Sequence, residues 1–250
     1  TDTQTTEDSG SDTQTADSGG DTEDTGSDAQ STGLACDQSE ITADITSPDF
    51  YWSFDSSIEP DLGTATMSAS GDMAVEDGAA VFDGQDDYLT ADDVPYPEDF
   101  AFGFFTSSTT HSDDGQRILL NLGNGPGTWE GVGFNTAAGK MNFFAEGGGG
   151  ESEEIQATAQ DPQPLETWSF VLGIKDGTDL SLYVDGELVG ETDAFTFGSI
   201  NYGTKGLVFG RHSYFESDYF HGRIAEVAFW TSPLAQSDVT TLHDNVANCR

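Results

Sequence analysis

The chain has 250 residues, and its 46 acids against seven Lys and Arg give a formal charge of −39, with no Lys or Arg before Arg117. That balance excludes nucleic acid as a partner, because phosphate binding needs cations, and an anionic membrane surface is excluded on the same ground; no apolar run is long enough to span a bilayer. Seventeen Phe and thirty Gly point to a phenylalanine-rich β core with many turns.

Residues 1–33 are low in complexity, and TDTQTTEDSG at 1–10 is echoed by SDTQTADSGG at 11–20. The segment has no aromatic, no base and no aliphatic larger than Ala. Such a stretch buries too little apolar surface to offset its ordering entropy, so it reads as a disordered, self-repelling acidic stalk. Its composition resembles the stalks that follow the lipid-bearing cysteine of bacterial surface lipoproteins. That resemblance implies a lipid anchor upstream of residue 1.

From residue 34 onward the chain reads as one all-β domain, 34–250. Phe50–Phe54 is the first clear strand, with Ala65–Ala69 a short second one. Gly78–Asp83 and Tyr88–Ala91 are joined by a tight turn, in which Asp-Gly supplies the positive φ. Phe100–Thr106 alternates three Phe against a face of Ala101, Gly103 and Phe105. Strands are then expected at Arg117–Leu122, Trp129–Phe134, Lys140–Ala145 and Glu154–Thr158, separated by Gly-rich loops. In Thr167–Lys175 alternation puts Trp168, Phe170, Leu172 and Ile174 on one face. Asp176-Gly177 and Asp185-Gly186 then turn the chain through Leu180–Val184 and Glu187–Gly190, an antiparallel meander. Gly206–Gly210 and Phe220–Trp230 are the last strands. In the latter, strict alternation sets Ile224 and Glu226 against Val227 and Phe229. Either both faces are covered, or a bulge near Ala225–Glu226 resets the pattern. Ser237–Asn245 is the only helix expected, capped by Ser237 or Asp238.

Three motifs in this order resemble the laminin-G-like jelly roll of the concanavalin A-like superfamily: Phe82-Asp83-Gly84-x-Asp86-Asp87-Tyr88-Leu89, then Trp168…Leu182-Tyr183-Val184-Asp185-Gly186, then Leu207-x-Phe209-Gly210 followed by Gly222-x-Ile224-x-Glu226-Val227-x-Phe229-Trp230. The resemblance covers residues from Phe50 to Leu242. It implies a two-sheet antiparallel sandwich with one short C-terminal helix. It also implies a monomeric, secreted or cell-surface binding module for a glycan or a surface protein. Many relatives carry Asp before the final Glu-Val, where this chain has Ala225. A jelly roll brings its ends together, so Cys36 and Cys249 are expected to pair in an oxidising compartment; the alternative is two unrelated free thiols.

Calcium takes several hard oxygen ligands. The fold implied by the resemblance makes neighbours of the strands bearing Asp55, Asp83, Asp86, Asp87 and Glu226. The same turn acids also suit plain turn hydrogen bonds, and Glu226 suits a buried backbone or basic partner. Arg211-His212-Ser213-Tyr214-Phe215, continuing to Tyr219, sets aromatics beside hydrogen-bonding groups in a loop, the composition that stacks and bonds a sugar. Trp129 is a second aromatic candidate. The loop aromatics also suit a small local core. A non-catalytic module is the leading reading; a polysaccharide-acting enzyme on the same fold, and a structural or adhesion domain whose only small ligand is calcium, are the alternatives. Retaining glycoside hydrolysis needs two carboxylates about 5 Å apart, and the glucanase motif E-x-D-x-x-E is absent. Glu151, Glu153 and Glu154 sit at a loop edge, and the four His show no metal spacing.

Overall fold

The computed structural model describes residues 38–111, 116–123, 131–147, 153–196, 199–200, 202–203, 205–213 and 215–247. It opens with a short helix absent from the sequence reading, α1 (Gln38–Ile41). Fifteen strands follow: β1 Phe50–Trp52, β2 Thr66–Ser70, β3 Ala74–Glu76, β4 Ala79–Asp83, β5 Tyr88–Asp92, β6 Phe100–Ser108, β7 Gln116–Leu122, β8 Val132–Ala137, β9 Lys140–Gly147, β10 Glu153–Pro162, β11 Ser169–Asp176, β12 Asp179–Val184, β13 Glu187–Thr192, β14 Leu207–Phe209 and β15 His221–Trp230. Helix α2 spans Gln236–Val246. No helix among the described residues is long and apolar enough to cross a membrane.

One sheet has the order β13-β12-β11-β6-β15-β4-β3, with β1 also on β15; the other runs β10-β9-β8-β7-β14-β5-β2. All strand pairings are antiparallel. This is an all-β, two-sheet jelly-roll sandwich. The β12–β13 turn behaves as its sequence demands: Asp185 and Gly186 both take positive φ, 55° and 80°, the pairing of a primed hairpin turn.

Phe100, Phe102 and Phe104 of β6 face the other sheet and meet Phe134, Phe143 and Phe229. The opposite face of β6 is covered as well. Phe105 packs on Phe170 with ring centres 5.0 Å apart, and Ala101, Leu172, Ile174, Ala228 and Trp230 join them beneath Val239, Leu242 and Val246 of α2. The eight-stranded sheet is thus apolar on both faces because a helix caps its outer side.

In β15 both expectations hold together, since both faces are covered and a bulge falls between Ala225 and Ala228. Glu226 occupies it with φ of 50°. Ile224 and Val227 both face the inner core, while Ala225 and Ala228 both face outward. Glu226 therefore does not share a face with Ile224 by simple alternation. Its buried carboxylate accepts the Tyr51 hydroxyl. Helix α2 also departs from its expected start. Its N-cap is Ala235, with no side-chain cap. Asp238 instead accepts the Thr46 hydroxyl at 2.8 Å. Asn245 donates to the carbonyls of Ile41 and Ala43 at 3.0 and 2.9 Å, tying α2 to the segment of α1. Cys36 and Cys249 lie outside the described residues.

Candidate functional site

The β4–β5 turn, the β2–β3 turn and the β14–β15 connection meet at one rim of the sandwich. Register brings them there: Asp83 sits opposite His221, and Phe209 sits opposite Leu89. Gly71 is required at this meeting point. It has φ of 78°, and a β-carbon there would strike Asp87 Oδ1.

The acids at the rim divide by role. Asp83 holds the turn: its Oδ1 accepts the Gln85 N–H at 2.7 Å, and its Oδ2 accepts the Gln85 side-chain amide at 2.8 Å. Asp87 Oδ2 accepts the Asp83 N–H at 3.0 Å. Asp86 and Asp87 come together with Asp72, not with the other expected ligands; one carboxylate oxygen from each of the three lies within 4.8 Å of the others. Asp87 is only 3% exposed, and its Oδ1 has no hydrogen-bond partner among the described residues. Burial, then the charges of Asp83 and Asp72, push its carboxyl above the usual range, against the pull of backbone N–H groups. A buried carboxylate oxygen without a donor among the described residues, between two exposed carboxylates, is a donor set that suits a hard divalent cation. Asp55 and Glu226 are elsewhere. Asp55 is exposed, with its N–H on Ser53 Oγ at 3.2 Å, and Glu226 is bound to Tyr51 on β1. Asp72 escaped the sequence reading because β3 did, and without β3 the Gly71-Asp72 turn has no second strand to define it.

The connection from Gly210 to Phe220 closes on itself, with the Phe220 N–H on the Gly210 carbonyl at 2.7 Å. Arg211 crosses to the Asp86–Asp87 turn, where its guanidinium carbon lies 3.7 Å from the centre of the Tyr88 ring. His212 Nδ1 accepts the Phe215 N–H at 3.1 Å, and the two rings stand 5.0 Å apart. Ser213 donates to Asn121 Oδ1. Tyr219 is half-buried and bridges to Ile118. Phe215 is 43% exposed. The loop is thus a small core beneath and a presented aromatic on top. Tyr214 and Trp129 lie outside the described residues.

Burial lowers the His212 pKa, and the neighbouring Arg211 charge adds to this while Asp218 opposes it. A lowered folded pKa means that the unfolded chain binds protons more readily below 6.5. His212's contribution to stability is therefore present above 6.5 and lost as pH falls through the folded value. An NMR titration of its ring protons is expected to give a pKa below 6.5, with the Phe215 amide shifting over the same range. A pKa above 6.5 would contradict this burial.

The outward face of the seven-stranded sheet carries a polar ladder that sequence reading missed. Asn142 donates to Asn135 at 2.8 Å, and Asn135 to Gln116 at 3.2 Å. Glu146, 2% exposed, lies directly across from Glu154. Burial pushes the Glu154 carboxyl up, and Gln156 donates to it. Acids on neighbouring strands do not show as a motif in one sequence.

The family described as the concanavalin A-like lectin/glucanases superfamily, of laminin G type, matches residues 83–240. No curated protein matches by sequence. Among solved structures, the botulinum neurotoxin serotype G binding domain is similar, at a TM-score of 0.63 and 13% identity over 78% of this chain and 50% of that one. Domain 4 of the GH43 extracellular arabinanase AbnA from Geobacillus stearothermophilus, in complex with arabinotriose, gives 0.63 and 15% over 80% of this chain and all, 100%, of that one. The binding domain of botulinum neurotoxin DC in complex with SialylT gives 0.63 and 11% over 82% and 52%. The chain spans about half the length of these toxin domains.

Proposed function

This chain belongs to the laminin-G type of the concanavalin A-like lectin/glucanases superfamily, and from that premise we propose that it is a non-catalytic extracellular module whose rim binds carbohydrate with the help of calcium. The observation that carries the reading is the placement of Arg211 over Tyr88, beside Asp87. It makes one surface of the acidic cluster and the aromatic loop. Asp72, Asp86 and Asp87 would hold the ion, with Asp83 ordering the turn beneath them. The ion would supply positive charge for sugar hydroxyls at an otherwise acidic rim. Phe215 offers a flat apolar face for a sugar ring, and Arg211 offers donors. The structural neighbours include a domain solved with arabinotriose, and that likeness supports a glycan over a protein partner. A secreted or cell-surface location, a monomer, and a stalk at 1–33 complete the proposal.

The test is a glycan-array profile of the full chain, run with calcium and again with chelator. Saturable, chelator-sensitive binding is expected, with at least a tenfold loss in both Phe215→Ala and Asp86→Asn. Binding that survives both variants and the chelator would sink the rim reading. The cross-strand pair of Glu146 and Glu154 supports a second reading, a polysaccharide-acting enzyme. That reading requires new reducing ends from a bound oligosaccharide and their loss in Glu154→Gln; the binding-module reading requires none.

A further inference from the structure

A cavity lies at the far end of the sandwich from the rim. Strand β6 measures the separation. At Ser108 it pairs with Gly222, next to the rim, and at Phe100 it pairs with Lys175. Eight residue steps along a strand cover about 26 Å. The cavity there has a volume of about 300 Å³ and is lined by Glu98, Asp99, Lys175, Thr178, Phe195 and Thr196.

Lys175 is the unusual member. It is 3% exposed, in a chain with only seven Lys and Arg. Its ammonium lies 3.0 Å from Asp99 Oδ1 and 2.9 Å from the Gly177 carbonyl, and 4.8 Å from the centre of the Phe195 ring. An ammonium has three N–H donors, and two of them have oxygen partners. The acids are also half engaged. Asp99 Oδ1 takes Lys175 and the Gly177 N–H, and Glu98 Oε2 takes the Ile200 N–H at 3.0 Å. Asp99 Oδ2 and Glu98 Oε1 have no hydrogen bond among the described residues. Outside the lining, two residues before Glu98 in the chain, stands an aromatic pair. Tyr202 donates to the Pro97 carbonyl at 2.6 Å, its ring centre lies 5.1 Å from that of Tyr96, and Tyr96 remains 41% exposed.

We propose that this cavity is a second carbohydrate site, taking the terminal ring of a neutral saccharide. Two carboxylates against one ammonium leave the wall negative, which disfavours uronates and phosphates. A neutral ring satisfies each element: its hydroxyls donate to Asp99 Oδ2 and Glu98 Oε1, one of its oxygens accepts from Lys175, Phe195 lines its apolar side, and the next unit of the saccharide lies toward Tyr96, outside the lining. The volume sits at the small end of ligand pockets, which start at about 300 Å³; that is room for a chain end, not for a chain crossing the surface. The site stands apart from the rim and needs no metal ion.

The experiment uses the full chain in chelator, with arabinotriose, xylotriose and cellotriose as probes followed by amide NMR and calorimetry. Saturable shifts are expected at Gly177 and Thr196 with at least one probe. Tyr96→Ala and Lys175→Met should each weaken that binding at least tenfold, while Phe215→Ala at the rim leaves it unchanged. If no probe moves those amides, the proposal is wrong. If Lys175→Met binds as tightly as the parent while melting lower, the Lys175–Asp99 pair is only a staple, and the proposal is equally wrong. Tyr96 is exposed, so its variant decides the matter even where Lys175→Met fails to fold. Binding that depends on calcium and Phe215 alone would uphold the rim and overturn this site.

Discussion

Phe102→Ala is expected to remove about 4 kcal/mol of unfolding free energy, the middle of the range for a fully buried aromatic. The ring is completely buried. It stacks on Phe229 with centres 4.3 Å apart and meets Phe134 edge-on at 6.4 Å. Its strand pairs with β11 on one side and β15 on the other, so no loop can collapse into the gap. The loss should appear as a lower urea midpoint at unchanged slope. Phe215→Ala, which truncates an exposed ring, should stay within about 0.5 kcal/mol of the parent. A loss below about 1 kcal/mol for Phe102→Ala would mean that the two sheets close over the cavity, and that the sandwich core is softer than its packing indicates.

The second large effect concerns Cys36 and Cys249. The residues just inside them are held together, because Asn245 donates to the carbonyls of Ile41 and Ala43. A bridge between the cysteines would close a loop around nearly the whole folded part, worth about 5 kcal/mol in the chain-entropy account. Cys36→Ser is therefore expected to melt well below the parent in oxidising buffer, and reductant should bring the parent down to the variant. Equal melting of the two under both conditions would remove the bridge.

The fold was legible where side chain and backbone make the same demand. Asp-Gly between alternating runs can only turn, and Asp185-Gly186 does so with both φ values positive. Phe100, Phe102 and Phe104 face the core because every second residue must. Legibility failed where a distant residue decides. Glu226 takes a left-handed backbone that its own side chain disfavours, and what holds it is Tyr51, 175 positions earlier in the chain. The short helix α1 has no apolar period of its own and exists against α2. At the rim, Asp86 and Asp87 could be read from their motif as metal-ligand candidates. Asp72 could not, since its partners are set by the register of β2 on β5. Asp83 suits either a ligand or a turn residue by its motif, and its hydrogen bonds are those of a turn. The loop of Arg211, His212 and Phe215 was readable as a mixture of polar and aromatic groups. Which of them is buried and which is presented depends on contacts with β5 and β7, and no local pattern encodes that.

An open sandwich, unlike a barrel, leaves strands at its borders. Here they are β10 and β2 in one sheet, β13 and β3 in the other. A border strand invites a neighbouring molecule to continue the ladder. On one side β10 and β13 come up against each other, with Gly190 against the Thr158 backbone; β10 carries Glu154 and Asp161 and β13 carries Glu187 and Glu191, so a second copy approaching that side brings like charges together. At a formal charge of −39, the acids that solvate the surface thus also guard the fold's border ladders against continuation by another copy.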